Sequence, residues 1–111
     1  MDALECRTHL KALIHDVAQF RPLGSHLAVD VVEDDANGHY QIVYRGWERD
    51  ERVYVVLVHL RLVDDCIFVE RDGTADGVAT QLLRVGVPYA QIVMAVHPPY
   101  LRHLTPFATD G

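Results

Sequence analysis

Apolar residues recur at helical spacing near the start of the chain. Cys6, Leu10, Leu13, Ile14, Val17 and Phe20 follow Asp2 and predict an amphipathic helix of about five turns, with Arg21-Pro22 and then Gly24 as its stop. From Leu27 the period falls to two. Leu27, Val29 and Val31 alternate with smaller or charged neighbours until Asp34-Asp35-Ala36-Asn37-Gly38 interrupts, and Asn-Gly between alternating segments is a strong hairpin signal. The return segment sets Tyr40, Ile42 and Tyr44 on one face and Gln41, Val43 and Arg45 on the other. After Gly46-Trp47 and a charged turn through Asp50 comes the most hydrophobic strand, Arg52 to Val63. Its partner begins after Asp64-Asp65, runs Cys66-Ile67-Phe68-Val69-Glu70 and ends at Asp72-Gly73. Four consecutive strands joined by short turns predict an antiparallel meander.

The pattern then returns to a helical period. Thr74 is the expected N-cap of a second helix, with Asp76 in its first turn and Val78, Leu82 and Val85 as its buried stripe. Gly86-Val87-Pro88 has the order of a Schellman ending: glycine at the left-handed position, an apolar residue after it, and a proline that cannot continue the helix. Ile92 to Val96 is short, apolar and β-branched and predicts a fifth strand, closed by Pro98-Pro99. Tyr100 to Gly111 has no clear period and is expected to pack as a turn or short helix over the sheet edge. The sum is one α+β domain over residues 1–111: an N-terminal helix, a four-stranded antiparallel meander, a second helix, a short fifth strand and a C-terminal loop, with the helices over one face of the sheet.

Composition agrees with a packed globule. Half of the 111 residues are hydrophobic, 23% are charged, and mean hydropathy is close to zero. Charge changes the functional picture more. The formal net charge is -6, Lys11 is the one lysine, and the arginines are interleaved with Asp and Glu. Phosphate-backbone binding runs on clustered cations, so strong autonomous nucleic-acid binding is not expected. Cys6 and Cys66 show neither metal-type spacing nor a short disulfide framework and read as reduced, small apolar side chains. The N-terminus lacks a signal-peptide layout, and no apolar run approaches the roughly 20 residues of a membrane span, so a cytoplasmic, membrane-free protein is expected.

Candidate chemistry is sparse. Seven histidines raise a metal reading, and His97 with His103 would flank a loop near His59 if the fifth strand lay beside the third. Without an HExxH or CxxC pair, hydrogen-bonded or surface histidines are the favoured reading, and neither a metal nor another cofactor is expected. Asp34-Asp35 and Asp64-Asp65 fall in turns, where adjacent acids solvate and cap backbone. With no Ser or Cys nucleophile beside a base, no catalytic residue is assigned. Trp47 and Tyr44 fit either the core or an interface, with packing the favoured role for Trp47.

Three blocks in order carry a family resemblance: His39-Tyr40-Gln41-Ile42 with Gly46-Trp47; Arg52-Val53-Tyr54 with His59; and Asp72-Gly73-Thr74, Gly86-Val87-Pro88, Ile92-Val93, His97-Pro98-Pro99-Tyr100, Arg102, Thr105 and Phe107-Ala108. Together they resemble the XisI family, the excision controlling factors of the fdxN element. The chain departs from the family pattern at Ala75, Tyr89-Ala90 and Pro106. The resemblance implies a non-enzymatic accessory factor in site-specific DNA excision, acting through a companion called XisH. The candidate partner-binding residues are His39, Gln41, Trp47, His97, Pro98, Arg102 and Thr105. For the loop members, hydrogen bonding that pins the C-terminal segment is the competing role. Self-association through an exposed sheet edge is a further expectation. Two alternatives come from other classes: a metal-dependent or small-ligand-binding domain, and a direct DNA-binding directionality factor.

Overall fold

Asp2 opens the first helix as expected: its carboxylate accepts from the backbone N–H of Glu5 at 2.8 Å, satisfying one of the four donors a helix start leaves free. Helix α1 spans Ala3–Ala18 and buries Cys6, Leu10, Leu13 and Ile14, one stripe at i, i+4, i+7 and i+8. Phe20 lies beyond the helix and is 78% exposed, so the predicted stripe ends one turn early. The computed structural model describes residues 1–20 and 26–109; the predicted stop at Arg21-Pro22 and Gly24 lies outside the described residues.

The meander follows as strands β1 (Ala28–Asp34), β2 (His39–Glu48), β3 (Glu51–Val63) and β4 (Cys66–Asp72), each antiparallel to the one before. The β1–β2 turn is held by Asp34, whose carboxylate accepts from Asn37 while its carbonyl takes the Gly38 N–H at 2.8 Å. Gly38 has φ of 73°, and a Cβ there would stand 2.3 Å from the Leu62 carbonyl oxygen, so no other residue fits without a shift. Two bulges interrupt the ladders. One lies where Ile42 and Val43 face Val58 and Val56, leaving Leu57 extra; the other falls where His59 and Leu60 face Arg71 and Val69, leaving Glu70 extra.

Helix α2 is shorter than expected, Val78–Arg84, and Thr74 is not its N-cap. The Asp72 carboxylate takes that role from the end of β4: one oxygen accepts from the Thr74 N–H and hydroxyl, the other from the Val78 N–H at 2.9 Å. Thr74 Oγ1 in turn accepts from Gly77 N–H, so the Thr sits in a turn held before the helix. Val78, Ala79 and Leu82 are buried, but Val85 is 49% exposed because the helix ends there. The ending is the predicted Schellman motif, with Val87 N–H on Leu82 O, Gly86 N–H on Leu83 O, and Gly86 at φ of 99°.

β5 comprises Ile92–Val93 alone; Ala95 and His97 turn back onto Val93 and Met94 by backbone hydrogen bonds, which ends the strand short of the predicted Val96. It pairs with β4 and runs parallel to it, giving the sheet order β1-β2-β3-β4-β5. The C-terminal segment closes over that edge through a 3-10 stretch, Pro99–Leu104, and a bridge between Ala108 and Val93.

One core lies between the helices and a single sheet face. Tyr40, Ile42, Val58, Leu60, Ile67, Val69 and Ile92 from the strands meet Leu10 and Ile14 of α1 and Val78 and Leu82 of α2, all at 0% exposure. Each such Leu or Ile contributes roughly 1.5–3 kcal/mol by leaving water. Among the described residues the buried polar one is Gln91, whose side-chain amide bonds the Met1 and Asp65 carbonyls, both at 2.7 Å, while its oxygen accepts from the Met1 amino group. It ties the start of α1 to the β3–β4 turn and the approach to β5.

Candidate functional site

Register and pleat assign the opposite face of the sheet. Since β2 residues Tyr40 and Ile42 point to the core, His39, Gln41, Val43, Arg45 and Trp47 point away from it, and their partners on β1, β3 and β4 point with them. One row across this face reads Asp34, His39, Arg61, Phe68, Val93. No helix covers it among the described residues.

At its centre two histidines meet. His39 Nδ1 and His59 Nε2 are 3.0 Å apart, sharing one proton between a donor and an acceptor nitrogen, with the rings tilted by 39°. Such a bond needs at least one neutral imidazole. Burial pushes the His59 pKa down, the neighbouring His39 adds to this, and Glu70 opposes it. Beside the pair, Arg61 donates to Glu70 at 2.8 Å and lies over the Phe68 ring at 4.8 Å. Arg45 is joined to Asp30 of β1. On the helix side, Lys11 bonds Asp35 at 3.1 Å and Glu33 at 3.5 Å. The Arg7 Nε donates to Tyr40, whose hydroxyl donates to Asp35. The bonds from Tyr40 and Lys11 hold the Asp35 carboxyl below its usual range. These cations are neutralised by neighbouring acids or occupied by internal acceptors.

The far end of the face is different. β1 reaches only to Arg45 of β2, and β4 only to Val58 of β3, so among the described residues the last part of the β2–β3 hairpin projects as a two-stranded arm. On it Trp47 is 58% and Tyr54 66% exposed, and the Arg52 guanidinium stands over both rings, 5.6 Å and 5.9 Å from their centroids. Trp47 therefore does not fill the core. Tyr44, on the other face, packs against it.

The remaining candidates lie apart from this face's centre. His97 and Pro98 are exposed at the start of the C-terminal segment. Arg102 donates to the His97 and Thr109 carbonyls, both at 3.1 Å, and Thr105 Oγ1 donates to the Arg102 carbonyl at 3.0 Å. Arg102 and Thr105 thus pin the segment locally. Because β5 lies beside β4 and not beside β3, the premise that would bring His97 and His103 near His59 is not met. The pairing His39–His59 escaped the sequence reading, because a regular register from the β2–β3 turn would set His59 opposite Tyr40 on the core face, and only the bulge at Leu57 moves it opposite Gln41, onto the face of His39. Arg52 and Tyr54 were missed as members of the exposed cluster with Trp47, since alternation alone does not say where flanking strands stop.

Among the described residues no group of three His, Cys, Asp or Glu is placed to hold a metal. An open cleft of about 460 Å³ lies between the end of α1, β3 and the Gly73–Asp76 turn, walled by Val17, Phe20, Tyr44 and Leu57 with Asp16 and Asp76 at its rim. Its lining includes the Thr74 hydroxyl, which is occupied in the turn before α2, donating to Asp72 at 2.6 Å and accepting from the Gly77 N–H. No described helix is long and apolar enough to cross a membrane.

The family model described as XisI protein matches residues 1–109. Among solved structures, the chain is similar to a XisI-like protein from Anabaena variabilis ATCC 29413, with TM-score 0.89 and 25% identity over 96% of this chain and 97% of that one. It shares its fold with the fdxN element excision controlling factor XisI of the same organism, with TM-score 0.73 and 24% identity over 92% and 96% of the two chains. A search of the curated proteins found no match.

Proposed function

The chain belongs to the XisI family, and on that premise we propose that it is a non-enzymatic accessory factor in the control of DNA excision, acting by binding a companion protein of the XisH kind. The observation that carries this reading is the exposed Trp47–Arg52–Tyr54 cluster on the projecting arm. Trp, Tyr and Arg are the residues that dominate protein-binding hot spots. A duplex-binding surface asks instead for free, clustered Lys and Arg. Here Lys11, Arg45 and Arg61 each sit on a carboxylate, within a chain of net charge -6. The candidates His39 and Gln41 share the cluster's face, so one partner surface can reach from the arm toward the histidine pair.

Co-expression with the XisH-like protein of the same genome tests the proposal. The two are expected to co-purify, and Trp47→Ala is expected to weaken the complex by about 2 kcal/mol or more, roughly thirtyfold, while leaving the circular dichroism unchanged. Two folded proteins indifferent to each other would overturn it. So would salt-dependent retardation of duplex DNA by this chain alone, which would move the activity to nucleic acid.

A further inference from the structure

The arm that carries the aromatic cluster also has a bare edge. β4 begins to pair with β3 at Val58, and the next two carbonyls are taken: Leu57 O accepts from the Gly73 N–H at 2.7 Å, and Val56 O accepts from Arg71 Nε at 3.3 Å. From Glu51 to Val55 no strand among the described residues flanks β3 on that side. An uncovered strand edge is a template for another strand. This one has no proline, no lysine and no bulge to blunt it; the nearest bulge lies just past it, at Leu57.

We propose that a second copy of this chain pairs with the edge, β3 against β3, antiparallel about a two-fold axis. The free length sets the register. Glu51–Val55 pairs in full with itself only when Val53 faces Val53 of the second copy. That places Arg52 opposite Tyr54 of the second copy, and the reverse. The guanidinium already stands at the face of its own Tyr54 ring, so the contact across the axis repeats chemistry present within each chain. The same register carries the hairpin turn of the second copy to the level of Val56, setting its Asp50 beside Arg71, the residue that closes the free edge. Each end of the paired edge then holds an Arg71–Asp50 charge pair.

This charge match singles out a second copy. An unrelated strand would need an acid and an aromatic at the same separation, whereas the two-fold supplies both twice. Directly opposed residues of an antiparallel pair share a face, so the helix-free faces of the two copies lie side by side and their Trp47–Tyr54 clusters adjoin. The pairing stands without the companion reading, because its readout is mass.

Sedimentation velocity over a concentration series tests it. The wild-type chain is expected to reach twice its 12.5 kDa mass. Asp50→Arg is expected to weaken the dimer about tenfold or more by bringing like charges together, and so is Arg71→Asp; the double exchange restores it. Tyr54→Lys weakens it by facing Arg52, while Tyr54→Glu keeps it. Trp47→Ala retains the wild-type mass, which separates a failure of this proposal from a failure of the companion reading. A wild-type monomer throughout the series would overturn the proposal. So would an Asp50→Arg variant that dimerises as the wild type does, or a double exchange no better than its parents.

Discussion

The two ends of the β2–β3 ladder share one alternating pattern and meet different fates. At the end beside the Asn37-Gly38 turn, flanking strands and α1 enclose the ladder, and Tyr40, Ile42, Val58 and Leu60 are wholly buried. At the other end, past Arg45 and Val56, no strand among the described residues flanks it, and Trp47 and Tyr54 are exposed. Strand-forming residues alone therefore do not make a core. Burial comes from the neighbours a strand acquires, and the unflanked end of a stable ladder is free to serve recognition.

Substitutions at the two ends sharpen this contrast. The largest effect is expected from Leu60→Ala, which leaves a cavity under α1 and should cost about 2–5 kcal/mol in urea denaturation; a loss below 1 kcal/mol would mean the closed end is not the stabilising one. Gly38→Ala comes next. Its left-handed backbone and the Leu62 carbonyl both oppose a Cβ, for about 1–3 kcal/mol, read as a lowered thermal midpoint.

Acid probes the middle of the ladder. His59 titrates below its ordinary 6.5 in the folded protein, so the folded state favours the neutral ring. Its contribution is complete above about pH 6.5 and is lost as pH falls through the lowered folded value. Thermal midpoints measured from pH 8 to pH 5 should therefore drop less in His59→Gln than in the wild type, and parallel curves would remove the role assigned to burial. The smallest effect belongs to the free end: Trp47→Ala should change stability by less than about 0.5 kcal/mol. A large loss there would show that the arm is part of the folding unit.

Much of the framework was legible because its signals are local. The α1 stripe from Cys6 to Ile14, the Asp2 cap, the Asn37-Gly38 turn, the span of β3 and the Gly86 ending each depend on residues a few positions apart. The errors fell where a distant group intervened. Thr74 has the right chemistry for an N-cap, yet Asp72 reaches the Val78 N–H first because β4 delivers its carboxylate there. Trp47 fits a core equally well by composition, and only the short reach of β1 and β4 leaves it outside. Alternation alone set Gln41 on the face opposite Tyr40 and Ile42, whereas the contacts of Arg102 with two backbone carbonyls depend on how the tail folds back.

The order of elements, their periods, many of their ends and the apolar stripe of the first helix follow from local sequence, since steric preference and hydrogen bonding within a turn or a helix act over short separations. Only long-range contacts set β5 beside β4 in parallel, bring His39 to His59, and leave one end of the longest hairpin unflanked among the described residues. Those outcomes are set by register between distant segments, and a period of two is the same whichever neighbour lies alongside.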